Sequence, residues 1–249
     1  MTKLHSLILA GGQGKRMKSD LPKVCHKLNN KSMIEHVFDT VLSIDNVANK
    51  YVILGEKTAS SIGSCLVNYS YIPIIQKDPK GTGHAVIVAR EELESIAKNN
   101  PDDILLVMPG DAPLVNNNSI NQMMKLHKEV ESDLTLMCAY FDNPFGFGRI
   151  IRGDDNFIEK IVEQKDGTPD ELNINLVNGS VYIFNIKKLV AHLSELELET
   201  NNAANEIYLT DIVKIFKKYD YKIIPYIIDD HNEISNVNTP EELARINQI

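Results

Sequence analysis

Two rhythms of apolar positions alternate along this chain. Residues 4–10, LHSLILA, form a mostly apolar run of strand length that ends in glycines. Such a run, bounded by turn residues, predicts a buried strand. The period then changes. In KSMIEHVFDTVLSI, residues 31–44, Met33, Ile34, Val37, Phe38, Val41 and Leu42 make one stripe at helical spacing, and Ser32 with Glu35 has the capping-box pattern. Strands follow at 51–55 (YVILG) and 71–75 (YIPII), and a helix that opens on glycines spans 81–97. The stretch DILLVMPGDAPLV, from residue 103, reads as a strand ending at an acidic residue. Strand and helix thus alternate, as in a parallel, doubly wound sheet.

The second half is less regular. Strands are predicted in 132–141, 157–163, 180–185 and 221–228, and a helix in 206–219. NTPEELARINQI predicts a last helix with Thr239 as N-cap, Pro240 as first residue and Glu242 as the third-position partner. No linker, low-complexity segment or internal repeat interrupts the pattern. The predicted fold class is α/β: a mixed, mostly parallel sheet flanked by helices, with a β-rich substrate lobe in the second half. It is read as a single domain over 1–249, with halves at approximately 1–115 and 116–249.

Composition narrows the function. Hydrophobic residues make up 43% of 249, enough for a substantial core, and the formal net charge is −8. An acidic chain argues against general nucleic-acid or anionic-membrane binding, so an anionic substrate needs a local basic cluster. Cys25, Cys65 and Cys138 are widely spaced, which predicts neither a disulfide frame nor a cysteine-based zinc site and points to a reducing compartment. The N-terminal apolar run is too short for a signal peptide, and no stretch approaches the roughly 18 apolar residues of a membrane helix. The expected location is cytoplasmic.

The candidate chemistry begins at LILAGGQGKRM, residues 7–17. Gly11, Gly12 and Gly14 end a strand, and Lys15, Arg16, Lys18, Lys23 and Lys27 follow. A Walker loop needs Ser or Thr after Gly14–Lys15, and Arg16 stands there. The dinucleotide fingerprint needs a glycine where Met17 stands. Taken alone, the loop is equally compatible with a tight strand–helix turn. The clustered cations favour a polyphosphate, since exposed backbone N–H groups beside Arg and Lys suit one. Pro22, in DLPK, fixes a turn that aims Lys23 back at the loop.

The opening LILAGGQGKRMKSDLPKVCHKLNNKSMIEHV resembles the signature of sugar-nucleotide pyrophosphorylases (nucleotidyltransferases). It is most similar to the uridylyltransferase part of bacterial bifunctional N-acetylglucosamine-1-phosphate enzymes. QKDPKGTGHAV, VMPGDAPLV, FGFGRII, IVEQKDGT, NEIYLTDI and NVNTPEELA resemble the later motifs of that family, in order and across nearly the whole chain. The resemblance implies a Rossmann-like fold with a nucleotide-binding first half and a sugar-binding lobe and closing segment in the second. It implies UTP and N-acetylglucosamine 1-phosphate as substrates, Mg²⁺ as cofactor, and no nucleic-acid or membrane partner, and it leaves homo-oligomerisation open.

By the same resemblance, Arg16 and Lys23 are catalytic, steadying the β,γ-phosphates and the α-phosphate region. Leu9, Ala10, Gly11, Gly12, Gln76, Gly81 and Thr82 bind the nucleotide, with Gly81 letting the base ring approach. Gly148, Glu163 and Asn178 bind the sugar, and Asp111 and Asn238 hold the metal. His84 packs or caps rather than reacts. The sequence departs from the family at Pro79, where relatives carry a base-holding Gln. It departs again at the Asn-Gly-Ser after Val177, which leaves the register of Asn178 open, and at Asn205 and Asn236, which replace glycines. No hexapeptide repeats follow, so acetylation of glucosamine 1-phosphate is not expected. Two alternatives stay open: a nucleotidyltransferase for another sugar 1-phosphate or nucleotide, and a non-catalytic sugar-nucleotide sensor.

Overall fold

The computed structural model describes residues 2–154, 157–200 and 202–248, with Lys15 described by its backbone alone. The first half contributes β1 (Leu4–Ala10), the short ribbon of β2 (Lys27–Leu28) and β3 (Lys31–Ser32), α1 (Met33–Leu42), β4 (Val47–Gly55) and α2 (Ala59–Cys65). It continues with β5 (Ile72–Gln76), α3 (Thr82–Ile87), α4 (Arg90–Asn99) and β6 (Ile104–Pro109). The second half adds α5 (Asn117–Glu129), β7 (Leu134–Tyr140), β8 (Arg149–Arg152), β9 (Ile158–Val162) and α6 (Pro169–Leu172). Then come β10 (Leu176–Asn185), α7 (Ile186–Ala191), α8 (Leu193–Leu196), α9 (Asp211–Lys218), β11 (Ile223–Ile227) and α10 (Pro240–Ile246).

One nine-stranded sheet carries the fold, in the order β11-β7-β10-β6-β1-β4-β5, with β8 and β9 hung from β10. β1 pairs in parallel with β4 and β6, β4 with β5, and β7 with β11. β10 is antiparallel to both β6 and β7. The β-rich second half joins the first through β10, which inserts beside β6, and β8 and β9 branch from β10 off the main strand order. Successive strand residues bury on opposite faces. Leu7, Tyr51, Ile53, Leu105 and Val107 enter one core, and Ile8, Val52, Leu54, Leu106 and Met108 the other.

The predicted capping boxes form at Ser32–Glu35 and Thr239–Glu242. Other boundaries differ from the sequence pattern. The helix expected over 81–97 is two, α3 and α4, divided at Val88 and Ala89. The helix expected over 206–219 begins only at Asp211. Its first residues are used elsewhere, because Ile207 N donates to Lys80 O (2.7 Å) and Ile207 O accepts from Gly83 N (2.8 Å). A main chain paired across to another segment cannot also close helical turns. β10 starts four residues before the expected 180–185 and carries an irregularity near Ser180, whose φ is 60°. All three cysteines are free thiols. No helix among the described residues is long and apolar enough to cross a membrane.

Candidate active site

Because β1, β4, β5 and β6 run parallel, their C-terminal ends share one edge, the place where open α/β sheets bind ligands. The glycine loop leaves β1 there. A Cβ on Gly11 would lie 2.5 Å from Gln76 Oε1, and one on Gly55 would lie 2.6 Å from Gly11 O, so the ends of β1, β4 and β5 are in close contact. Gly12 has nothing within 4 Å of its missing Cβ and leaves its backbone open. Gly14 has φ +65°, and a Cβ there would collide with the Lys23 stem. Only glycine takes this conformation without strain. Ala10 is buried, and Leu9 O already accepts from Gly110 N at 2.9 Å.

Lys23 begins a short 3-10 turn behind Pro22, whose ψ of 140° is the extended value of a turn-former. Its ammonium pairs with the Asp111 carboxylate and donates to Asn238 Oδ1 at 2.9 Å. Arg16 Nη2 donates to the same oxygen, also at 2.9 Å. Asp111 follows β6 through Gly110 and is buried, and its carbonyl accepts from Val237 N at 3.2 Å. Two residues near the start of the chain, one from its middle and one near its end thus meet at one point. The Asp111 and Asn238 oxygens bear on the same ammonium, so together they present a locus suited to a hard cation. Among the described residues no group of three or more His, Cys, Asp or Glu forms a metal cage.

Gln76 is 2% exposed, and its Nε2 donates to His84 Nδ1 at 2.9 Å. Burial holds the His84 imidazole below its ordinary pKa, which favours the neutral acceptor form. Oε1 of Gln76 is left facing Gly11. His84 therefore orients Gln76. Gly81 has φ +109°, and a Cβ there would collide with the carbonyl of Ile207, so the crossing of this segment by itself requires glycine. Thr82 Oγ1 accepts from Leu209 N at 3.0 Å.

On the other side, Gly148, Glu163 and Asn178 adjoin. Gly148 O accepts from Asn178 N at 2.9 Å, and a Cβ on Gly148 would lie 3.3 Å from Glu163 Oε1. Tyr182 pairs with Val107 in an antiparallel ladder, so Asn178 lies past the C-terminal end of β6, on the edge that carries Asp111. Its side chain donates to Tyr182 Oη at 2.7 Å and accepts from Ser180 N at 3.0 Å. Glu163 Oε1 accepts from Thr210 Oγ1 at 2.9 Å. Burial pushes the Glu163 carboxyl up, and the Thr210 hydrogen bond only partly offsets it.

Thr210 and Tyr182 escaped the sequence reading. Thr210 lies inside the quoted NEIYLTDI, but nothing in the sequence tied it to Glu163. Asn205 takes the left-handed φ, 52°, expected of a glycine replacement; Asn236 does not, and its Oδ1 is buried without a hydrogen-bond partner.

Comparison with known proteins follows the geometry. The bifunctional protein GlmU of Clostridium novyi (strain NT) is 38% identical over 247 residues, 98% of this chain and 51% of the relative. GlmU of Streptococcus uberis is 39% identical over 240 residues, 96% of this chain and 50% of the relative. The chain spans about half the length of the curated relatives it matches. Among solved structures, one assigned to a glucose-1-phosphate thymidylyltransferase from Bacillus anthracis superposes with TM-score 0.75 at 18% identity, covering 98% of this chain and 94% of that one. A CMP:2-keto-3-deoxy-manno-octonic acid synthetase complexed with CTP superposes with TM-score 0.72 at 15% identity, covering 99% and 98%. At that identity the superpositions speak for a shared fold. The family model Nucleotidyl transferase matches residues 5–224, nearly the whole sheet and the glycine loop with it, and the chain belongs to that family.

Proposed function

We propose that this protein transfers UMP from UTP to N-acetylglucosamine 1-phosphate, giving UDP-N-acetylglucosamine and pyrophosphate. The observation that carries the reading is the meeting of Arg16, Lys23, Asp111 and Asn238 beside an open glycine loop. In the reaction a phosphate oxygen of the sugar phosphate attacks the α-phosphorus of UTP. A new O–P bond forms, the bond to the bridging oxygen breaks, and pyrophosphate leaves with the electron pair. The second pKa of a phosphomonoester is about 6, so the nucleophile is already largely ionised at neutral pH. No general base is required. What the reaction needs is in-line positioning and neutralisation of two polyanions.

The chain's own groups meet those needs. Arg16 offers a planar fork to the β,γ-phosphates, and Lys23 a compact charge to the α-phosphate region. Asp111 and Asn238 would hold Mg²⁺. Two protein oxygens with phosphate oxygens and water are a usual Mg²⁺ sphere, and the absence of a denser carboxylate cage among the described residues fits that pattern. When bound, the ion supplies charge neutralisation on the triphosphate. Gln76, Gly81, Thr82 and the backbone of Leu9, Ala10, Gly11 and Gly12 face the nucleoside. Gly148, Glu163 and Asn178 face the sugar, where an internally held carboxylate accepts from hydroxyls.

A second reading, a nucleotidyltransferase for another base or sugar phosphate, is favoured by Pro79, which has no side-chain amide where relatives of the resembled family use one. Pyrophosphate release decides between the two. The assay uses Mg²⁺, UTP and N-acetylglucosamine 1-phosphate, with parallel swaps to glucose 1-phosphate, CTP or dTTP and a chelator control. Release confined to the first pair and abolished by chelation is expected. Faster release with another pair replaces the substrate assignment, and binding of UTP with no release from any pair points to a sensor.

A further inference from the structure

We propose that Glu242, which no motif singles out beyond its helix cap, is a positioning residue for Asn238. The proposal rests on the uridylyltransferase reading. In a capping box the third-position carboxylate accepts from the N-cap N–H. Here Glu242 Oε2 accepts from the N-cap Thr239 N at 3.1 Å and from Asn238 N at 2.6 Å. The extra bond is the shorter of the two, and both are made to a carboxylate, the stronger kind of acceptor. It lies one residue outside the helix and is not needed to cap it. Asn238 is thereby held at both ends: its amide N–H by Glu242, its side-chain oxygen by Arg16 and Lys23.

The carboxylate sits on an anchored platform. Leu243 and Ile246 of α10 pack with Met17, Leu28, Met33 and Val237, and Asn247 Oδ1 accepts from Asn29 N at 3.1 Å. Met17 is the neighbour of Arg16. One small core therefore ties the helix that carries Glu242 to the loop that carries the catalytic cations. Among the described residues Glu242 makes no hydrogen bond or ion pair with Arg16 or Lys23. Its effect passes through the placement of the Asn238 oxygen, where an error of about 1 Å is enough to cost on the order of 100-fold in rate.

The test compares Glu242→Ala, Glu242→Gln and Thr239→Ala in the full chain. Calorimetric titration of Mn²⁺ in the presence of UTP is read beside pyrophosphate release. Thr239→Ala cuts the reciprocal half of the same cap, the Glu242 N–H to Thr239 Oγ1 bond of 3.2 Å, and leaves the acceptor for Asn238 in place. Glu242→Ala is expected to weaken Mn²⁺ binding and kcat/KM about tenfold or more, the usual scale for groups that orient metal ligands. Glu242→Gln, which keeps an oxygen acceptor, is expected to restore most of both, and Thr239→Ala to stay within about twofold on that scale. Equal losses in Glu242→Ala and Thr239→Ala would reduce the role to helix stability and overturn the proposal. So would wild-type Mn²⁺ affinity in Glu242→Ala. If the wild type binds Mn²⁺ but turns over no substrate pair, the functional reading falls while the titration still decides Glu242. If it binds no Mn²⁺, both fall.

Discussion

Arg16, Lys23, Asp111 and Asn238 stand at the mouth of the sheet edge, while Gly148 just before β8, Glu163 just after β9 and Asn178 on β10 form a second group. The first group is held by mutual charge. Lys23 and Asp111 keep 18% and 12% of their side-chain surface, and the side chains of the group bond one another. A triphosphate and a divalent ion can take over those bonds one for one. In the second group Glu163 is bound by Thr210 and Asn178 by Tyr182 and Ser180, in a buried to half-buried framework. On the proposed function such a cradle would recognise hydroxyl positions without rearranging. The contrast teaches that one crevice can separate charge neutralisation from substrate choice, provided the two sides are mechanically linked. One such link is visible between α3 and the cradle: Gly81 and Gly83 clasp Ile207 and so tie α3 to Thr210 three residues on.

The comparison breaks most sharply at the cations. Arg16→Ala or Lys23→Ala should lower kcat/KM for pyrophosphate release at least about 100-fold, the scale of losing one preorganised charge at a reacting phosphate. For Arg16→Ala the melting temperature should hardly move, since that exposed side chain supports no core. At the link, Gly81→Ala forces a strained φ and a collision with the Ile207 carbonyl. It should cost about 3 kcal/mol in urea unfolding and raise KM for the sugar phosphate, because Thr210 moves with Ile207.

On the cradle side, Glu163→Gln should raise KM for the sugar phosphate about tenfold, the worth of one charged hydrogen-bond acceptor, with kcat less affected. Its stability should go the other way. The folded state holds the Glu163 proton more tightly than the unfolded chain does, so ionisation costs the wild type stability as pH rises through the raised pKa. The melting-temperature difference, variant minus wild type, should therefore grow from pH 4 to pH 8.

The smallest effect is expected at Asp211. Its pKa is pushed up to about 6 by burial first and then by Glu199, with Lys214 opposing and Glu163 and Asp166 adding to the rise. The same sign applies. The stabilising proton is fully bound below the unfolded value near 4 and is lost as pH passes 6. Asp211→Asn should melt a few degrees higher than the wild type at pH 7.5 and close to it at pH 4, with activity little changed.

Much of this could be read before any coordinates. The alternation of strand and helix through Pro109 follows from apolar period, and the two capping boxes from single residues at fixed offsets. The glycine loop with its cations suggested phosphate on local chemistry, and the later motifs supplied the rest by resemblance. Thr210 and Tyr182 were not legible, because their roles are single hydrogen bonds across 47 and 4 residues to partners with no periodic relation to them. The contact of Gly81 with Ile207 was hidden for a similar reason. A glycine announces a close approach without naming what approaches.

The sequence by itself determined the element types, the two-faced burial of the central strands and the clustering of cations behind the first glycine loop, since all of these depend on neighbours along the chain. Tertiary structure alone decided that β10 enters the sheet beside β6, that residues 206–210 forgo a helix to pair with residues 80–83, and that Asn238 reaches Lys23 across 215 positions. Those outcomes depend on which backbone groups and charges find partners once the chain is packed, and no local pattern encodes that competition.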